Sequence, residues 1–321
     1  MAATGLTRLT VGLFSTSLVA RAAGDGGHFA ARGLEVAEVA VTSSRDQFRA
    51  LLDGAYDLVL TSPDNVLAYR LDPGNPLGGT HDVRVIAAVD RGLGLSLVGA
   101  PGVRSYEDVR GRTVAVDIPG SGFAFTLYHL LAGAGLRRDA DYRVEPAGTT
   151  PRRRAALLSG RYAATMLGSG HDVAAVGAGC HRIARAADAI RPYLGTVLAG
   201  HGPWLDAHAG VVDRFLTGWL AAAVEVTDPA RRDATLRAIE THLDLAGAAA
   251  EEFYATAVSP VEGLSTDGEV DPAAIAAIAR LRADHGRPGT GFADTRLVTA
   301  GTDDTGLLDT RPLARVARRR G

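Results

Sequence analysis

Short apolar runs alternate with longer amphipathic ones along the first third of the chain. "RLTVGLF" (8–14), "LEVAEVAV" (34–41), "YDLVLT" (56–61) and "VRVIAAV" (83–89) have the length and β-branched content of strands. Between them, 18–32 reads as a small-residue helix closed by Gly33. Residues 43–54 read as a helix capped by Ser43 or Ser44, with Phe48, Leu51 and Leu52 as its apolar stripe and Gly54 as its stop. A third helix is expected over 63–71, with Pro63 in its first turn. Repeated strand–helix–strand units predict a parallel sheet covered by helices. In "DLVLTSPDNVLAY" (57–69) a strand gives way to a helix through Thr61, Ser62, Asp64 and Asn65. Such residues cap helices, and the carboxyl edge of a parallel sheet is also where ligands bind. The residues alone leave both uses open.

The rhythm changes at "RGLGLSLVG" (91–99), which reads as a crossing into a second unit of the same kind. That unit runs strand 113–118, helix 121–134, strand "YRVEPAG", helix 150–160, strand "AATML", helix 170–178 and strand "RIAR", and "RPYLGTVLAG" (191–200) reads as the return. From 204 onward the pattern is helical: Val211, Val212, Phe215, Leu216, Trp219, Leu220, Ala223 and Val224 form one broad face, and helices follow near 230–243, 247–257 and 272–285. The expected organisation is an α/β chain of two lobes. The first comprises 1–92 and the mostly helical return 194–286, the second is the insertion 93–193, and 287–321 is a loosely ordered tail whose closing "RVARRRG" is a solvated end. Two crossings make a hinge-capable design.

Composition narrows the chemistry. The 321 residues are 46% hydrophobic, as in an ordinary globule, and a net charge of −2 gives no reason to expect nucleic acid or an acidic membrane as partner. All 34 basic residues are arginine. Without lysine there is no Walker-type phosphate loop and no Schiff base to pyridoxal phosphate or to a carbonyl substrate. The one cysteine, Cys180, excludes an internal disulfide and a Cys-rich zinc site. No cofactor or metal is expected. "MAATGLTRLTVGLFSTSL" lacks the sustained apolar core of a secretory leader, so the chain as written reads as cytoplasmic, or as extracytoplasmic if the true start lies upstream.

Several stretches in order carry a resemblance: "LTVGLFS", "FAARGLEV" (29–36), "LLDGAYDLVLTSPDNVLAY" (51–69), "SYEDVRGRTVAVDIPGSGFAFTLYHLL" (105–131) and "LLSGRYAATMLGS" (157–169). Over roughly residues 8–285 the chain resembles the periplasmic binding protein type II superfamily. The similarity is to its NMT1/THI5-like branch of ABC-importer solute-binding proteins, whose members bind aliphatic sulfonates, nitrate or thiamine-pyrimidine precursors. The resemblance implies a two-lobed Venus-flytrap fold closing on a small anionic or aromatic organic molecule, a sulfonate, carboxylate or pyrimidine-like compound. It also implies a monomer with an ABC permease as partner.

Carried over by position, the implied ligand cleft falls on Ser15 and Thr16, on Thr61, Ser62, Asp64 and Asn65, and on Ser121, Gly122 and Phe123 of "PGSGFAF". There a glycine-flanked helix start offers N–H groups to an anion. Ser169 and His171 of "LGSGHDV", His201 of "AGHGPW" and Arg91 as countercharge complete the set. Two related activities conflict with the residues. A pyrimidine synthase needs a pyridoxal-binding lysine, and a sulfinate desulfinase needs a cysteine where Ser15, Thr16 and Ser17 stand. The alternative is an enzyme of lyase or biosynthetic type on the same fold, with His171 or His201 as acid or base.

Overall fold

In the computed structural model, which describes residues 5–286 and 305–320, the strands gather into two five-stranded sheets. The first contains β1 (Thr7–Leu13), β2 (Leu34–Ala40), β3 (Leu58–Thr61), β4 (Val83–Asp90) and, after a long excursion, β10 (Thr196–His201), in the order β2-β1-β3-β10-β4. The second contains β5 (Ser96–Gly99), β6 (Thr113–Val116), β7 (Arg143–Pro146), β8 (Ala164–Leu167) and β9 (His181–Arg185), in the order β7-β6-β8-β5-β9. β1 is parallel to β2 and β3, and β6 is parallel to β7 and β8. The reversed strands are the ones that arrive from the other sheet: β10 runs antiparallel to β3 and β4, and β5 antiparallel to β8 and β9. The result is the expected two-lobed α/β architecture with a helical C-terminal part.

The helices follow the sequence pattern closely: α2 (Ser44–Leu52), α3 (Pro63–Leu71), α4 (Gly122–Gly133), α5 (Thr150–Leu158) and α6 (His171–Gly177) each begin after a strand. One helix is shorter than expected. α1 spans Leu18–Asp25, and a separate 3-10 turn, Ala30–Arg32, ends at Gly33. The run "GDGG" (24–27) explains the break, because Gly27 sits at φ 68°, which a helix cannot continue through. The short α7 (Ala186–Ala189) precedes the return. α8 (Gly202–Ala207) and α9 (Ala209–Thr227) then follow, and α9 buries Val212, Phe215, Leu216, Trp219, Leu220 and Ala223 against the first sheet. α10 (Arg232–Leu243), α11 (Ala248–Ala257) and α12 (Pro272–His285) complete the helical part.

The crossings are narrow and tightly packed. Gly195 lies so close to Asp90 and Gly92 that a Cβ there would stand 2.7 Å from the Gly92 backbone. A third segment joins them: Ala88, Arg91 and Leu93 donate N–H bonds to Gly268, Gly263 and Glu262, and Ser265 donates one to Val89. Asp90 is buried here, accepting from the Gly92 N–H at 2.8 Å. Burial pushes its carboxyl up to about 6, against the pull of Thr196 and Gly92. α12 also links the lobes, packing on α3 and on α4. Its Arg282 makes a bidentate pair with Asp64 of α3 (2.7 and 2.7 Å) and stacks over the Phe125 ring of α4 at 5.1 Å.

The tail differs from expectation. Residues 287–304 lie outside the described residues, but Arg311–Arg320 is a helix on α9, with Val316 buried. The arginines expected to be a solvated end include Arg315 and Arg319, which pair with the buried Asp213 of α9 at 2.9 and 3.2 Å. Leu313 and Val316 on one face and a buried acid on α9 turn a basic terminus into a docked helix.

Truncation after Thr310 is expected to lower stability by about 2–3 kcal/mol in urea denaturation, since it uncovers the apolar surface under Leu313 and Val316 and removes both cations of Asp213. Asp90 also opposes folding once ionised, because its folded-state value lies above the ordinary 3.8. Its penalty is absent below about pH 4 and grows as pH rises through about 6. Asp172 is displaced in the same direction. The expected result is therefore a difference between proteins: Asp90→Asn loses less stability than wild type between pH 4.5 and 7 in parallel thermal melts.

Candidate functional site

Parallel strands send each following helix off from the same edge of the sheet, and the two sheets turn these edges toward each other. Between them lies a cavity of about 190 Å³. Its walls come from the turns after β1 (Ser15, Thr16, Ser17), β2 (Thr42, Ser43) and β3 (Thr61, Ser62) in the first lobe. The second lobe supplies the turns after β6 (Asp117, Ser121), β7 (Thr149, Thr150) and β8 (Ser169). Among the candidates named from sequence, Ser15, Thr16, Thr61, Ser62, Asn65, Ser121, Gly122, Phe123 and Ser169 all line this cavity.

The tetrad at the end of β3 divides its labour. Ser62 caps α3 by accepting from the Asp64 N–H at 3.3 Å and also faces the cleft, so capping and lining are not alternatives. Ser17, Ser43 and Ser121 do the same for α1, α2 and α4, accepting from Ala20, Asp46 and Ala124. Thr61 accepts from the Asn65 amide at 3.0 Å, holding both side chains at the wall. The lobes touch at this point: a Cβ on Gly122 would lie 2.5 Å from the Cβ of Asp64.

Four candidates sit elsewhere. Asp64 is turned to Arg282 and buried in that pair. Arg91 is at the crossing, but its N–H donates to Gly263 and its guanidinium reaches the Leu264 carbonyl at 3.4 Å rather than the cavity. His171 does not line the cavity; burial, with Arg154 and Arg153 nearby, pulls its imidazole down to about 4. His201 is at the wrong end of its strand. β10 is antiparallel, so its first residue, Thr196, meets Asp90 at the cleft, while His201 pairs with Val83 at the opposite edge. Among the described residues no histidine lines the cavity.

The titratable groups that do line it are Asp90, Asp117 and Arg153. Arg153 was not singled out from sequence. It is 3% exposed, and its Nη atoms donate to the carbonyls of Gly148 (2.5 Å) and Met166 (3.3 Å) and to the Thr150 hydroxyl (3.2 Å). Its Nε is buried with no hydrogen-bond partner among the described residues. Burial pulls the guanidinium below the usual arginine value, with Asp117 acting in the opposite sense. A signal existed in "PRRRAALL": Arg153 lies four residues before Leu157, and these two are the buried positions of α5.

Residues 3–240 match the model of the NMT1-like family. No curated protein matches the sequence. Among solved structures, a Bordetella bronchiseptica protein has a TM-score of 0.78 at 18% identity, covering 98% of each chain. The nitrate-binding protein NrtA of Synechocystis has a TM-score of 0.76 at 12% identity, covering 98% of this chain and 89% of its own. The alkanesulfonate-binding protein SsuA of Xanthomonas axonopodis pv. citri, bound to MOPS, has a TM-score of 0.70 at 16% identity, covering 97% and 98%. These likenesses share the fold, and the family match spans well over half of the residues: the chain belongs to the NMT1-like family.

Proposed function

We propose that the protein is a solute receptor: its lobes close on a small organic anion, which it delivers to the permease of an ABC importer. The observation that carries this reading is a cavity walled by strand ends and helix starts of both lobes, so that a ligand would touch each lobe and favour their approach. At about 190 Å³ it is smaller than the roughly 300–1,000 Å³ of drug-sized pockets, which suits a compact ligand. The hydroxyl-rich wall and the helix N-termini suit oxygen acceptors, while Leu93, Phe253 and Leu264 offer an apolar side. The permease partnership is supported by the resemblance to importer receptors and by the binding roles named for NrtA and SsuA. Catalysis by His171 or His201 finds no support in their positions outside the cavity.

A thermal-shift screen of small sulfonates and carboxylates, followed by X-ray scattering with any ligand that raises Tm, tests the reading. The expected outcome is a smaller radius of gyration on binding, with the ligand recovered unchanged. An unchanged radius, or a chemically altered ligand, would overturn it. Gly122→Val places a branched side chain where Asp64 leaves no room. It is expected to hold the lobes apart and weaken binding about 10-fold or more, from a clash of about 1–3 kcal/mol.

A further inference from the structure

The proposed receptor role leaves open which wall of the cavity reads the ligand's charge. Of the helices that start at the cavity, α1, α2, α3 and α4 each have one first-turn N–H met by a capping serine. α5 and α6 do not: the N-cap residues Thr149 and Gly170 make no side-chain cap bond, and of the two only α5 has its N-cap residue, Thr149, on the cavity wall. The uncapped start lies beside Arg153, and both line the cavity. A buried arginine in a folded protein ordinarily meets a carboxylate, and Arg282, also buried, has Asp64. Arg153 has none. Asp117, on the same lobe, accepts from Ser121 and acts on the guanidinium only from a distance, without a direct hydrogen bond.

We infer that Arg153 and the open N-terminus of α5 form the anion subsite of this cleft, taking the carboxylate or sulfonate headgroup of a monoanionic ligand whose apolar body lies toward Leu93, Phe253 and Leu264. The headgroup supplies the negative partner that the fold withholds from Arg153. Its oxygens also meet the N–H groups of Thr150 and Arg152, which no side chain among the described residues meets, the intervening Pro151 having none. The second lobe therefore reads charge, and the apolar wall reads the body. A neutral pyrimidine or amide would leave the guanidinium as it found it, without a counterion. This inference rests on the receptor reading, and it moves the countercharge from Arg91 at the crossing to a residue of the second lobe.

The test pairs charged and neutral isosteres on the wild-type protein: propanesulfonate, benzenesulfonate and benzoate against propanamide and benzamide, each by thermal shift and calorimetry. The inference expects the anions to bind at least about 30-fold more tightly than their neutral counterparts, the scale of losing one partner of a buried charge pair. Arg153→Gln should erase that preference. Arg91→Gln should keep it. A purely structural arginine, tying the start of α5 to β8 through Gly148 and Met166, predicts something else: lower Tm for the Gln variant and an intact preference for anions. That result would overturn the inference and spare the receptor. Equal binding of amides and acids by the wild type would do the same without any variant. If neither class raises Tm at millimolar concentration, the receptor reading fails, and the subsite with it.

Discussion

Strands that run parallel all end at one edge of their sheet, so every helix that follows a parallel strand begins at that edge. That constraint shapes this molecule twice. In each lobe it lines up helix N-termini, with their unmatched N–H groups and positive dipole ends, along one rim. N-terminal N–H groups call for oxygen acceptors, and the chain supplies Ser17, Ser43, Ser62 and Ser121. A surface built this way is rich in hydroxyls before any ligand is considered. Turning the two rims toward each other makes a polar cavity out of structural necessity, and any specificity has to be added to it.

The two reversed strands are what turn the rims face to face. A chain leaving β4 at the cleft rim enters the second sheet as β5, and a chain leaving the second lobe enters the first sheet at the same rim as β10. Both must run against their parallel neighbours. The crossing is stiffer than two strands would make it, because residues 262–268 hydrogen-bond along 88–93 and α12 packs on both α3 and α4. Motion between the lobes therefore has to work against a three-segment waist and the Asp64–Arg282 pair stacked on Phe125. A modest rotation satisfies these contacts better than a wide opening would.

Much of this was legible in the sequence because period and punctuation are local. The strand after residue 57 and helix 63–71 follow from apolar spacing, a capping serine and a first-turn proline. Turns after parallel strands also go where topology sends them, which is why Ser15, Thr61, Ser121 and Ser169 meet. Strand direction, by contrast, is not written locally. His201 follows an apolar run as Thr61 does, yet the reversed β10 carries it to the far edge. Charge partnership is equally non-local. Asp64 sits among cleft residues in sequence, but a helix more than 200 positions away claims it. The terminal arginines looked solvated because nothing near them reveals Asp213.

Arg153 and Arg282 show how one protein treats a buried guanidinium in two ways. Removing a cation from water costs several kcal/mol even after relaxation, and an opposite charge in good geometry recovers much of it. At Arg282 the fold provides that charge in bidentate form, fixing α12 to α3. At Arg153 its direct contacts are carbonyl and hydroxyl oxygens, with the Asp117 carboxylate acting only from a distance. An arginine kept for packing alone would gain by acquiring an acid, and Asp117 on the same lobe shows that an acid is sterically available to this wall. It is turned instead to Ser121 at the start of α4. The part of the burial cost that Asp117 leaves uncompensated is recovered most directly by a group that enters the cavity with negative charge.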